Sequence, residues 1–202
     1  MANMNDDKGL FWNSENNDRI YDANSLGKWL SKFFTTGVMP GDFEVTVTNG
    51  LTVSMAAGYV NINNPDSANP GGKVRVFEEA TPFTLTMASS LYNRIDTIVL
   101  ERNDTNRDIT AKVVTGTPAE TPSPVAPVRN NSVYQLVIAE IYVPVGATSI
   151  TNDNITMKRA DSSLCGIITG TVSNNMILIG TEDLEEGVSE LADGVVYFVY
   201  DE

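Results

Sequence analysis

A run of 15 residues, Asn93 to Arg107, constrains the fold of this chain more than any other segment. Its first part is rich in apolar, β-favouring residues, and Asn103-Asp104-Thr105-Asn106 then supply side chains that favour turns and tolerate left-handed backbone. From Ile109 to Val113 apolar and polar residues alternate, which is typical of a strand with one buried face. The segment therefore predicts a β-hairpin.

The same period of two runs through most of residues 42–143. Apolar positions alternate from Phe43 to Met55, interrupted by Asn49-Gly50, a strong hairpin-turn dipeptide. Residues 63–72 hold two prolines and two glycines and predict an exposed loop, after which the strand pattern resumes as far as Met87. Many short strands at close spacing predict a mainly β fold, an antiparallel sandwich or barrel, of which we expect the β-sandwich.

One helix is predicted ahead of these strands. Its apolar residues recur at helical spacing, Asp22 or Asn24 is the candidate N-cap, and Gly37 marks the end. Such an aromatic-rich stripe predicts packing against the core, or equally against a sister subunit. The stripe consists of Leu26, Trp29, Leu30, Phe33 and Phe34.

Composition divides the chain into three predicted regions. Residues 1–41 form an N-terminal arm and helix, and residues 42–166 form the β-sandwich domain. Residues 167–202 form a small acidic C-terminal β appendage, in which two apolar clusters, at 176–179 and 195–200, flank an acidic, turn-rich middle. We expect these two clusters to pair, because unpaired they would be aggregation-prone edges.

Two segments are candidates for self-association. Val133 to Val143 has apolar residues on both faces, which predicts either a central strand covered on both sides or a subunit contact. The N-terminal arm carries an aromatic anchor of the kind expected where identical arms meet in a symmetric assembly. The candidate surface therefore consists of Phe11, Trp12, Tyr134, Leu136 and Ile138.

Composition also argues against several classes of function. Thirteen Lys and Arg against 26 Asp and Glu give a net charge of −13, which repels nucleic acid and anionic membranes. No apolar run approaches the roughly 20 residues needed to span a bilayer, and no segment resembles a secretion signal. The chain has no His and a single Cys165, so His-based triads are excluded. We therefore expect no enzymatic activity, no cofactor and no metal.

Two other classes of function stay open. A carbohydrate-binding module would need exposed aromatic side chains on one face, for which Tyr59, Tyr92 and Tyr142 are the candidates, with Tyr134 a further tyrosine. An enzyme acting on cell-wall glycans would need two carboxylates facing one another across a sugar. Adjacent acids such as Glu78-Glu79 point to opposite faces of a strand and do not supply that arrangement.

The order and spacing of short motifs from about Phe11 to Gly166 resemble a family of baseplate and tail-appendage proteins from phages and prophages of Gram-positive bacteria. The motifs include Phe11-Trp12-Asn13-Ser14, Asp18-Arg19-Ile20-Tyr21-Asp22, Gly58-Tyr59-Val60-Asn61, Asn93-Arg94-Ile95-Asp96-Thr97-Ile98-Val99, Gly146-Ala147-Thr148-Ser149-Ile150 and Leu164-Cys165-Gly166. The resemblance implies a virion component of the tail tip that assembles with itself as a trimer and contacts other baseplate or fibre proteins. Longer relatives carry a C-terminal stalk or receptor-binding region where this chain has a short acidic piece, and this departure from the family pattern favours an adaptor or a shortened form. Host cell-wall polysaccharide is the partner that the carbohydrate-binding alternative would require.

Overall fold

A computed structural model of the chain describes residues 23–170, 177–180 and 196–199. The chain divides into two compact units, Met1–Thr169 and Gly170–Glu202, and each is described here by itself. The predicted division at residues 41 and 166 stays a prediction.

The first unit is mainly β, as the sequence predicts, with helix α1 (Ala23–Phe33) ahead of the strands. The strands form three antiparallel sheets, with the orders β1-β4-β5, β2-β3-β6 and β10-β9-β7-β8. A short 3-10 helix, Asn152–Asn154, precedes the last strand. The strands are β1 (Gly37–Val38), β2 (Val45–Asn49), β3 (Thr52–Met55), β4 (Gly58–Asn63), β5 (Gly72–Phe77), β6 (Thr81–Thr84), β7 (Arg94–Asn103), β8 (Asp108–Val114), β9 (Val133–Val143) and β10 (Ile155–Met157).

The predicted hairpin is the pair β7 and β8. The strands run antiparallel from Thr97 opposite Val114 to Asn103 opposite Asp108. The Asn103 side chain closes the turn, because its Oδ1 accepts the backbone N–H groups of Thr105 and Asn106 at 3.1 and 3.0 Å. Within the turn the left-handed residue is Arg107, with φ of 55°, rather than one of the Asn or Asp residues ahead of it.

One hydrophobic core joins the three sheets in a sandwich-like arrangement. Each sheet contributes alternate residues to it, which is the physical outcome of the two-residue period in the sequence. Fully buried members include Val60 and Ile62 from the first sheet, Val53 and Met55 from the second, and Ile98, Leu100 and Ile138 from the third.

Strand β9 is a central strand of its sheet, with β7 on one side and β10 on the other. Leu136 and Ile138 are 1% and 0% exposed and belong to the chain's own core. The apolar residues on both faces of this segment are therefore explained by burial within one chain, and these two side chains are not available to a second copy.

Helix α1 forms where predicted, but its aromatic stripe does not pack into the core. Trp29 and Phe33 are each 39% exposed, and their rings lie 4.8 Å apart between centroids. Gly27 is the buried residue of this helix. A side-chain Cβ at this position would lie only 2.9 Å from the backbone oxygen of Gly72. The helix thus approaches the start of β5 backbone to backbone, and this contact leaves the aromatic stripe on the outside.

The segment between β4 and β5 differs from the exposed loop that its prolines and glycines predict. Asn64 is fully buried and Ser67 nearly so. The Asn64 amide donates to the backbone oxygen of Asn130 at 2.8 Å, and Ser67 Oγ accepts the N–H of Asn69 at 2.9 Å. Further along the chain, β6 ends at Thr84, so Met87 lies outside the strand and is 87% exposed.

In the second unit the two apolar clusters pair, as predicted. Strands β11 (Ile177–Gly180) and β12 (Val196–Val199) form a parallel pair, with Ile177 opposite Val196 and Gly180 opposite Val199.

Candidate functional site

The residues predicted for self-association do not come together on one described surface. Phe11 and Trp12 lie outside the described residues. Leu136 and Ile138 are in the core. Tyr134 is partly buried, and the guanidinium of Arg129 lies 4.9 Å from its ring centroid. Among the described residues of this set, Tyr134 is the one whose side chain is partly exposed to solvent.

Two of the three candidate glycan-contacting tyrosines are exposed and belong to the same end of the four-stranded sheet. Tyr92 precedes β7, and Tyr142 is the next-to-last residue of β9, opposite Ile95 at the start of β7. Tyr59 is only partly exposed, and burial raises the pKa of its phenol. The sequence therefore identified two tyrosines that are exposed, but it did not distinguish them from Tyr59, which is only partly exposed.

A concentration of exposed apolar side chains occupies this end of the sheet, and we call it the loop-end surface. Leu91 is 76% exposed, and Tyr92, Tyr142 and Val145 are each at least 39% exposed. Met87, from the same loop as Leu91, completes it. Isolated exposed apolar residues are ordinary, but several on adjoining segments at one end of a sheet are of the kind that marks an interaction site.

The loop-end surface contains an open groove of about 380 Å³. Its described lining consists of Leu91, Tyr92, Asn93, Ala119, Glu120 and Val145. Among these residues Glu120 is the one side chain charged at neutral pH. The surface is thus poor in charge, although the chain as a whole carries a net charge of −13.

A buried ion pair holds the loop that carries this surface. Arg94 and Asp96 lie on the same side of β7, because residues two apart on a strand share a face. Arg94 Nε donates to Asp96 Oδ1 at 2.9 Å, and its Nη1 and Nη2 donate to the backbone oxygens of Met87 and Thr86, the former at 2.7 Å. Asp96 Oδ1 also accepts the N–H of Gly116 at 2.9 Å. Both side chains are almost fully buried, so the pair fixes the positions of two loops at once.

Further hydrogen bonds hold the loop next to Leu91. Ser89 Oγ accepts the N–H groups of Leu91 and Tyr92 at 3.2 and 3.3 Å, while its carbonyl accepts the N–H of Gly146 at 2.8 Å. Asn93 Oδ1 accepts the N–H of Val145 at 2.8 Å. The backbone that carries these apolar side chains is therefore held by hydrogen bonds within the chain.

The same device recurs at the other end of β7. Arg102 Nε donates to Asp104 Oδ1 at 2.7 Å, and its Nη atoms donate to the backbone oxygens of Ile62, Gly71 and Asn69 at 2.9, 2.8 and 2.7 Å. Asp104 also accepts a hydrogen bond from Ser67 Oγ. This pair orders the segment between β4 and β5 and explains why that segment is not a simple exposed loop.

A cleft of about 610 Å³ opens beside this second ion pair. It lies between the start of α1, strand β5 and the β7–β8 turn, and its described lining includes Asn24, Lys73, Arg75, Arg102, Arg107 and Asp108. The sequence pattern did not predict this cleft, because its basic residues come from two segments, 73–75 and 102–107, that lie 27 to 34 positions apart.

The opposite face of the four-stranded sheet holds a polar cluster on β7, β8 and β9. Burial alone would raise the pKa of Glu101, but hydrogen bonds from Lys112 and Gln135 outweigh it and hold that pKa below its ordinary value. Gln135 Nε2 lies 2.6 Å from Glu101 Oε2, and Lys112 pairs with the same oxygen. The cluster joins three strands and needs no external ligand.

The described residues show no arrangement typical of an active site. Among residues 23–170, 177–180 and 196–199, no group of three or more Cys, Asp or Glu side chains could hold a metal ion. Burial raises the pKa of the Cys165 thiol to about 12, against the attraction of Arg159 and Arg129, so the thiol stays protonated at neutral pH. Within the same described ranges, no helix has the length and apolar character to cross a bilayer.

Comparison with known proteins gives no family, relative or structural neighbour. No family model, curated protein or solved structure matches the chain.

Proposed function

We propose that this protein is a non-enzymatic structural component that acts by assembling with copies of itself and with neighbouring proteins. The motif resemblance suggests the setting, the baseplate or fibre-attachment region of a phage or prophage tail, in a trimeric virion component. The observation that carries the proposal is the loop-end surface, an exposed apolar patch on a firmly held loop.

Rigidity is the first argument for a protein interface here. Binding costs less when the contacting groups are already ordered, because less conformational entropy is lost. The Arg94–Asp96 pair, Ser89 and Asn93 fix the backbone that carries Met87, Leu91 and Tyr92. A partner therefore meets a preformed surface.

Charge is the second argument, and it favours a second copy of this chain as the occupant. Two copies that each carry a net charge of −13 repel one another over most of their surfaces. A surface with little charge avoids this repulsion and favours self-association. The loop-end surface has this property, and closed symmetry lets the same patch serve in every subunit.

The test is the solution mass of the full chain by light scattering over a concentration series. We expect a stable assembly of about three times 21.9 kDa. Leu91→Asp should shift it toward the monomer, because the substitution places a carboxylate in the apolar contact. The matched control is Val128→Asp, which adds the same charge at a valine that is also exposed but lies elsewhere.

A strict monomer at all concentrations would overturn self-assembly. An assembly that both Asp variants leave unchanged would overturn the loop-end surface as its interface.

Carbohydrate binding is the second candidate function, and the groove in the loop-end surface favours it. Its volume of about 380 Å³ lies within the range of small-ligand sites. Tyr92 offers a ring for a sugar face, and Asn93 and Glu120 offer polar groups for hydroxyls. Binding of purified Gram-positive cell-wall polysaccharides, lost in Tyr92→Ala and kept in Tyr59→Ala, would support this function over a pure scaffold.

A further inference from the structure

We propose that the cleft between α1, β5 and the β7–β8 turn is a binding site for a small sugar that carries a carboxylate or a phosphate group. This site lies at the opposite end of β7 from the loop-end surface and does not depend on the assembly proposed above. The cleft's volume of about 610 Å³ suits a ligand of monosaccharide to disaccharide size.

The described lining of the cleft contains more basic than acidic side chains, unlike the chain as a whole. Acidic residues outnumber basic ones two to one in the sequence, with 26 against 13. In the described lining of the cleft, four basic side chains stand against two acidic ones. The basic residues are Lys73, Arg75, Arg102 and Arg107, and the acidic residues are Asp104 and Asp108. The two acidic side chains are paired with two of these basic ones, Asp104 with Arg102 and Asp108 with Arg75. Among the described lining residues, Arg107 therefore keeps a positive charge that can attract an anion into the concave surface.

Arg102 is not the anion-binding group, because its charge is already used. Its side chain is 1% exposed and is saturated by Asp104 and by three backbone oxygens. It serves as the floor of the cleft and fixes the surrounding segment.

Arg75 is held in position but keeps donors for a ligand. Its Nη1 donates to Asp108 Oδ1 at 2.8 Å and to the backbone oxygen of Ile109, and its guanidinium carbon lies 4.7 Å from the ring centroid of Phe77. The side chain is 39% exposed. Its Nη2 and Nε form no hydrogen bond with another described residue, so the three N–H groups on these two nitrogens remain for a ligand beside the cleft.

Arg107 supplies the second anion-binding group, and its backbone argues that its side chain matters. It has φ of 55°, a conformation that Gly, Asn and Asp adopt more readily than Arg. Asn106, a residue type that adopts this conformation more readily, immediately precedes Arg107 in the sequence but does not occupy the position. The exposed Arg107 side chain makes no ion pair with a described residue, and its charge is available to a bound anion.

The rest of the lining indicates a sugar rather than a bare ion. The amides of Asn24 and Asn69 border the cleft, and Asn24 Nδ2 donates to Asn69 Oδ1 at 3.1 Å. The Asn69 Nδ2 group is then the donor that a ligand hydroxyl can use. Val74 is 46% exposed and offers an apolar surface for a sugar face. Lys73 Nζ lies 3.1 Å from Asn24 Oδ1 and joins the strand to the helix at this edge.

The experiment is calorimetric titration of the full chain with glucose 6-phosphate, glucuronate, glucose and inorganic phosphate. We expect at least one of the two charged sugars to bind at least about tenfold more tightly than glucose and than phosphate. Glucose 6-phosphate and glucuronate separate a phosphate from a carboxylate as the recognised group.

Two variants make the test specific to the cleft. Arg107→Gly removes the side chain while suiting the backbone angle, so the variant should fold, and we expect it to weaken binding of the charged sugar about tenfold or more. Lys112→Gln removes one positive charge outside the cleft and should leave the affinity unchanged.

Four results would overturn the proposal. These are no heat of binding at about 10 mM of either charged sugar, equal affinity for glucose, equal affinity for inorganic phosphate, and equal loss in the two variants.

Discussion

The two ends of β7 carry the same ion-pair device and support different kinds of surface. At one end Arg94 and Asp96 are both buried and hold a loop that displays apolar side chains. At the other end Arg102 is buried, Asp104 is 12% exposed, and the pair holds a segment beside a cleft lined by basic residues. In both places an Arg on β7 and an Asp two residues further along the chain form the pair, and the remaining Arg donors bind the backbone of a neighbouring loop.

The largest expected effect is the loss of the fully buried pair. Arg94→Met leaves the Asp96 carboxylate buried without its cation, and we expect about 3–5 kcal/mol less free energy of unfolding. Urea denaturation measures this loss. The double variant Arg94→Met, Asp96→Leu should recover part of it, because the unpaired charge is gone. A loss below about 1 kcal/mol in the single variant would mean that the pair does not hold the loop.

A smaller loss is expected at the other end of the strand. Arg102→Met leaves three backbone oxygens without their donor, but Asp104 keeps Ser67 Oγ and its access to water. We expect a loss of about 2–3 kcal/mol by the same urea measurement. A loss larger than that of Arg94→Met would contradict the argument that burial of the acid decides the difference.

The polar cluster of Glu101 should contribute to acid sensitivity. Its pKa is lowered in the folded chain, so its stabilising effect is present above the ordinary Glu pKa and is lost as the pH falls through the folded value. Glu101→Gln should therefore reduce the fall in thermal midpoint between about pH 5 and pH 3. The control Glu120→Gln, at an exposed position, should leave that fall as in the original chain.

The smallest effect is expected at Arg107. Because Gly adopts positive φ at no steric cost, Arg107→Gly should raise the free energy of unfolding by about 0.5–1 kcal/mol. Arg107→Ala keeps the strain and should give no gain. A loss of stability in the Gly variant would show that the side chain has a structural role in addition to any role at the cleft.

The sequence predicted the strands and the helix because their signals are local. The alternation from Phe43 to Val47 and the dipeptide Asn49-Gly50 each act within a few residues, and β2 and β3 pair across them. The arginine networks are not local, since Arg102 binds oxygens at Ile62 and Gly71 that are 31 or more positions away. The pattern of residues 63–72 therefore predicted an exposed loop where a distant side chain orders the segment.

The candidate surface was harder to predict, because exposure depends on which partner covers a residue. Leu136 and Ile138 were candidates for a subunit contact, but β7 and β10 flank their strand and the core covers them. Met87 fits a strand pattern, but it lies beyond the end of β6 and is exposed, and Arg94 binds its carbonyl oxygen. The two-residue period of the sequence does not distinguish a residue buried in the core from one exposed beyond the end of a strand.

The buried Cys165 gives the chain an internal reporter of its own opening. A thiol whose pKa is raised to about 12 reacts slowly with alkylating reagents while the fold is closed. Any opening that exposes Cys165 restores an ordinary thiol, and the rate of labelling then measures the population of the open form. The sequence contains no other cysteine. The labelling rate therefore reports on opening of the part of the core that buries Cys165, without an engineered probe.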